Sequence, residues 1–139
     1  MFELAAVDLA ARIRAREISA VDVVDAHIRR IEAVNPALNA VVSERFDAAR
    51  AEARAADEQL THANDTATSR PLLGVPCTVK EYFAVEGMPW TAGLVARRGT
   101  RATCDADAVA KLRAAGAIVL GVTNVAEGGL WLESTNPVY

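Results

Sequence analysis

The sequence predicts an α/β fold in which helices precede a mixed, largely parallel sheet, and three observations lead there. All eight glycines lie at Gly74 or later, so the first 73 residues lack a residue that weakens helix interiors. The back half holds two short apolar runs, 72–80 and 117–120, on either side of an amphipathic stretch at 105–115. Strand, helix and strand in that order imply a parallel pair joined by a right-handed crossover. The composition, 52% hydrophobic and 24% charged with net charge −3 over 139 residues, suits one folded unit.

The front half reads as three helices and one strand. Leu4, Val7, Ala11 and Arg14 mark a first helix that fades near Glu17, Ile18 and Ser19. Ser19 restarts the chain: with Asp22 three residues on it forms a capping pattern, and Val21, Val24, Ile28 and Ile31 follow at helical spacing until Asn35 and Pro36. Residues 38–43 suit a short strand. Residues 44–60 form an alanine-rich helix with an apolar stripe at Phe46, Ala49, Ala53, Ala56 and Leu60. Residues 62–70 are polar and read as a surface loop.

In the back half, 72–80 reads as a buried strand, and a glycine- and arginine-punctuated loop follows over 86–103. The helix at 105–115 carries Asp105 and Asp107 near its positive end, with Gly116 placed to terminate it. Residues 117–120 form the second buried strand, after which Thr123 and Asn124 lead toward a further helix. The organisation is a helical lead-in over 1–73 and the start of an α/β core over 74–139.

Composition also excludes function classes. With pI about 5.4 and no basic patch, nothing calls for a nucleic-acid partner. The longest uncharged run, 114–126, is 13 residues and falls short of a transmembrane segment. Glu3, Asp8, Arg12 and Arg14 interrupt the N-terminus where a secretory signal would need an apolar core, so a cytoplasmic location is expected. Cys77 and Cys104 stand apart without metal-ligand spacing, so no metal and no other cofactor is expected.

The charges themselves point to one residue. Thirteen of the 15 basic residues are arginine, leaving Lys80 and Lys111. A lysine can lose its proton near neutral pH when it is desolvated, which a guanidinium cannot. Alternation puts Pro76, Thr78 and Lys80 on one strand face and Cys77, Val79 and Glu81 on the other, so Lys80 and Glu81 are not obvious partners. Lys80 ends an apolar strand at the sheet edge where α/β proteins collect chemistry, and is the candidate general base. The competing reading is a lysine that snorkels to solvent. Cys77 faces away from Lys80 without a histidine beside it and reads as a structural thiol, and His27 reads as a packed or half-exposed side chain. Gly129, Leu130 and Trp131 are the candidate substrate-binding residues. The paired Gly128 and Gly129 weaken a helix, so a bend or a close backbone approach is expected there.

The blocks Leu73-Gly74-Val75-Pro76-Cys77-Thr78-Val79-Lys80-Glu81, Gly87-Met88-Pro89, Thr91-Ala92-Gly93, Asp107-Ala108-Val109 and Gly121-Val122-Thr123-Asn124 together resemble the amidase signature family. Lys80-Glu81 and the stretch from Leu130 to Ser134 are most similar to its fatty acid amide hydrolase branch. The resemblance implies an α/β/α sandwich and a Ser, cis-Ser, Lys mechanism acting on a small-molecule amide substrate. Lys80 matches the family lysine. Ser134 does not match the nucleophile, and Leu94 and Val122 depart from the serine and lysine that many members carry. Both family serines lie downstream of the block that ends here at Tyr139, so the expectation is an N-terminal portion of a longer amidase, inactive alone. A sheet without its later strands exposes an edge, so association into a homo-oligomer is expected. Two other readings stay open: an amidotransferase-like protein that releases ammonia for charged tRNA, and a non-catalytic α/β interaction module.

Overall fold

The computed structural model describes residues 2–62 and 70–139. The expected loop over 62–70 falls, for 63–69, outside the described residues. In chain order the elements are α1 (Ala6–Arg14), α2 (Ala20–Leu38), β1 (Val41–Glu44), α3 (Phe46–His62), β2 (Pro76–Lys80), α4 (Asp107–Ala114) and β3 (Ile118–Thr123). Single 3₁₀ turns occur at Val95–Arg97 and Glu127–Gly129.

The first helix forms, but with a different face from the one the spacing suggested. Leu9, Ala10 and Ile13 are buried, whereas Val7 is exposed. Leu9 and Ile13 are one turn apart and present the larger apolar pair, which wins the core contact. Ser19 caps α2 as its sequence position implied, accepting the Asp22 amide at 2.9 Å. The helix then runs three residues past Asn35 to Leu38, through Pro36. Proline removes one amide donor near the end of the last turn. Asn35 closes that exit: its carbonyl accepts the Asn39 amide at 2.7 Å, and its side chain both donates to and accepts from the Val41 backbone at 2.8 Å. The chain leaves through Asn39, which adopts φ 48°.

The stripe read from α3 is the buried one: Ala49, Ala53, Ala56 and Leu60 all face the core. Small side chains there let α3 lie close to α2 and β3. At the end of α4, Gly116 takes φ 98°, the Gly116 amide bonds the Arg113 carbonyl, and the Ala117 amide bonds the Leu112 carbonyl. This is a Schellman motif, and it turns the chain directly into β3.

The sheet has the order β1-β3-β2, with β3 in the centre. β2 and β3 run parallel, as the strand–helix–strand order required, and β1 pairs antiparallel to the other edge of β3. Alternate residues of β3 serve two cores. Ile118 and Leu120 join Leu9, Ile13, Val24, Ile28 and Leu60 from the front helices. Val119 and Val122 join Val79, Val85, Met88 and Val109 of α4. The two layers cover opposite faces and hold the carboxyl ends of β2 and β3 side by side.

The further helix expected after Asn124 is absent among the described residues. One 3₁₀ turn stands there, because Gly128 and Gly129 adopt φ 62° and 71° and end any helical run at once.

Candidate active site

Lys80 is the last residue of β2 and lies level with Thr123, the last residue of β3. Two carboxyl ends of parallel strands therefore meet at one point, the usual location for chemistry in such sheets. Beyond Lys80 the chain closes a tight turn, in which the Phe83 amide donates to the Lys80 carbonyl at 2.9 Å. The Glu81 amide donates to the Thr123 carbonyl at 2.9 Å and extends the ladder one residue past the strand.

Burial alternates over this stretch as the pattern implied: Thr78 and Lys80 are exposed, Val79 and Glu81 buried. The exposure of Lys80 corrects one expectation, that the strand end would desolvate it. β2 is an edge strand, and neither core cluster includes Lys80. Among the described residues its ammonium has no ion-pair or hydrogen-bond partner.

Glu81 is the residue that sequence reasoning passed over. Its carboxylate is fully buried. One oxygen accepts the Thr91 amide, the Thr91 hydroxyl at 2.8 Å and the Tyr139 hydroxyl; the other accepts the Ala92 amide at 2.8 Å. The backbone is shaped for this task, since Ala92 and Gly93 adopt φ 52° and 70° and turn two successive amides toward one anion. A side chain on Gly93 would reach within 2.9 Å of Asn136 Cβ, so the 91–93 loop sits hard against the segment that ends at Tyr139. Burial, and then the bond to Glu81, push the Tyr139 hydroxyl up to about 12. The alternation that placed Glu81 on the apolar face was the available signal: a carboxylate there requires donors. Tyr139 gave no comparable signal.

Asn124, at the end of β3, acts as a clamp. Its side chain donates to the Asn39 carbonyl at 3.2 Å and accepts from Asn136 Nδ2 at 2.7 Å. Gly129 shows the close approach its sequence suggested, for a Cβ there would lie 3.0 Å from the Tyr82 ring. Leu130, Trp131 and Leu132 follow as exposed apolar side chains lining a shallow, open concavity with Gly129. Tyr82 and Phe83, just past Lys80, are exposed too and pack edge to face. The structure thus joins the Gly129 turn to the Lys80 turn through Tyr82.

Cys77 is half-buried, and burial pushes its thiol up, with Arg113 and Arg45 opposing. His27 packs edge to face on Phe2, its Nδ1 2.8 Å from the Val23 carbonyl. Among the described residues no three His, Cys, Asp or Glu side chains gather as a metal-binding set. No helix is long and apolar enough to cross a membrane.

The Amidase family profile matches residues 22–139, a span that contains the whole sheet and the Lys80 turn. The chain belongs to the amidase family. It is 51% identical over 140 residues to fatty-acid amide hydrolase 2-A of Danio rerio, an alignment covering 98% of this chain and 26% of that protein. It is 40% identical over 134 residues to a glutamyl-tRNA(Gln) amidotransferase subunit of Acidothermus cellulolyticus, covering 96% of this chain and 26% of that protein. Among solved structures, native peptide amidase from Stenotrophomonas maltophilia superposes with a TM-score of 0.78 at 36% identity, covering 90% of this chain and 25% of that one. This amidase-family chain therefore spans about a quarter of the length of the relatives it matches. The mixed sheet preceded by helices is the architecture expected from the sequence.

Proposed function

We propose that this chain supplies the general base of an amide hydrolase, with Lys80 in that role. The observation that carries the reading is the placement of Lys80 at the paired carboxyl ends of β2 and β3, in a chain matched by the Amidase profile over residues 22–139. In the mechanism that the family resemblance implies, neutral Lys80 takes a proton through a cis-serine from a serine nucleophile, which attacks the amide carbonyl. The relay then protonates the leaving amine, and water releases the acyl group. The reading assigns both serines to sequence outside these 139 residues and assigns 74–139 to the start of the catalytic core, behind a helical lead-in over 1–73.

An exposed ammonium is a poor base at neutral pH, so the reading requires that the rest of the enzyme cover Lys80. For substrate, the reading takes an apolar or fatty acyl amide. The relative named fatty-acid amide hydrolase 2-A supports this at 51% identity, as does the apolar surface of Leu130, Trp131, Tyr82 and Phe83 around the Gly129 turn. The 40% identity to the amidotransferase protein supports that alternative less. A cytoplasmic location and self-association remain parts of the proposal.

The test is fluorophosphonate labelling of the full-length enzyme. Lys80→Ala and Lys80→Arg are each expected to slow labelling by about 10²-fold or more, the usual scale for a lost proton acceptor. Undiminished labelling in either variant removes Lys80 from the mechanism.

A further inference from the structure

The reading of Lys80 as base leaves Glu81 unexplained. Burying a carboxylate is costly unless its charge is balanced, and an apolar side chain of similar size fills such a site at lower cost. Among the described residues no lysine or arginine pairs with Glu81; amide dipoles and two hydroxyls balance it instead. Those donors come from three separate places in the chain: the 91–92 loop, Tyr139, and, through the Glu81 main chain, the end of β3.

We infer that Glu81 is the positioning residue for Lys80, an inference that rests on the reading of Lys80 as base. Successive residues of an extended strand point to opposite faces. Fixing the Glu81 side chain inward therefore fixes the rotation of the strand end and sends Lys80 outward. The main chain is held on both sides of the same peptide, by Thr123 accepting the Glu81 amide and Phe83 donating to the Lys80 carbonyl. With the carboxylate seated in the Thr91–Ala92 amides, the Lys80 Cα cannot turn or slide along the sheet. Proton transfer depends on placement at this scale, since a displacement of about 1 Å costs about 10²-fold in rate.

A double-mutant cycle on the full-length enzyme, read by fluorophosphonate labelling rate alongside a thermal melt, separates positioning from general support. Glu81→Gln is expected to slow labelling about tenfold or more while the melt stays cooperative, and to slow it no further in a Lys80→Ala background. A wild-type rate for Glu81→Gln, or the same factor in both backgrounds, overturns the inference. If Lys80→Ala itself labels normally, the base reading fails and this one with it; if Lys80→Ala is slow and the factors multiply, the positioning role alone fails. Should Glu81→Gln not fold, Tyr139→Phe removes one donor from the same carboxylate. It is expected to slow labelling about threefold, again without effect in Lys80→Ala. A wild-type rate, or a loss that persists in Lys80→Ala, counts against the role.

Discussion

The Tyr139 hydroxyl donates to the buried carboxylate of Glu81, a contact that closes the whole span between β2 and the last residue of the chain. Tyrosine becomes charged when it loses its proton, and here burial and the Glu81 bond raise its value from the ordinary 10 to about 12. The folded state therefore keeps the proton longer than the unfolded chain does. Stability from this contact is fully present below pH 10 and is lost as pH rises from there toward 12. Melting temperatures between about pH 9 and 12 should fall more steeply for the wild-type protein than for Tyr139→Phe. Parallel slopes would show that the contact contributes nothing.

Two glycines with similar backbone angles should respond differently to alanine. Gly116 and Gly99 have φ 98° and 83°, but a Cβ at Gly116 meets the Leu73 backbone at 2.6 Å, while a Cβ at Gly99 meets nothing within 4 Å. Gly99→Ala is expected to cost about 1 kcal/mol, the strain of a left-handed alanine. Gly116→Ala should cost about 3 kcal/mol or more, because backbone cannot swing aside as a side chain can. Denaturant midpoints measure both; equal shifts would refute the steric account.

Cys104 is exposed and Cys77 is half-buried with its thiol pushed up by burial. Since the thiolate is the reactive form, iodoacetamide near pH ~8 should modify Cys104 well before Cys77. Peptide mass mapping over a time course reports the order, and simultaneous modification would contradict it.

Ser19 both caps α2 and donates to the Asp22 carboxylate at 2.7 Å. Ser19→Ala should destabilise the fold by about 1 kcal/mol, and Ser19→Gly by less. Chemical denaturation checks the ranking.

Much of this fold was legible because local chemistry and tertiary packing agree. Ser19 and Asp22, the alanine stripe of α3 and the Gly116 stop each make locally the contacts their spacing implied. Where they disagreed, packing decided: Leu9 and Ile13 took the core face of α1, and the Asn35 clamp carried α2 past Pro36. At the candidate site, strand alternation placed Lys80 and Glu81 on opposite faces correctly. It could not reveal that Glu81 meets Tyr139 and the 91–92 loop, because those contacts depend on loops whose paths no periodicity encodes. The solvent exposure of Lys80 follows from the position of β2 at the sheet edge, a property of strand order that a linear pattern does not contain.

That strand order has a consequence for synthesis. The central strand is the last of the three to leave the ribosome, and both earlier strands need it as their hydrogen-bonding partner. Until residue 123 has emerged, β1 and β2 are nascent segments with nothing to pair to, open to chaperones or to neighbouring polysomes. Translation speed through the stretch that encodes α4 and β3 thus governs how long those orphans wait.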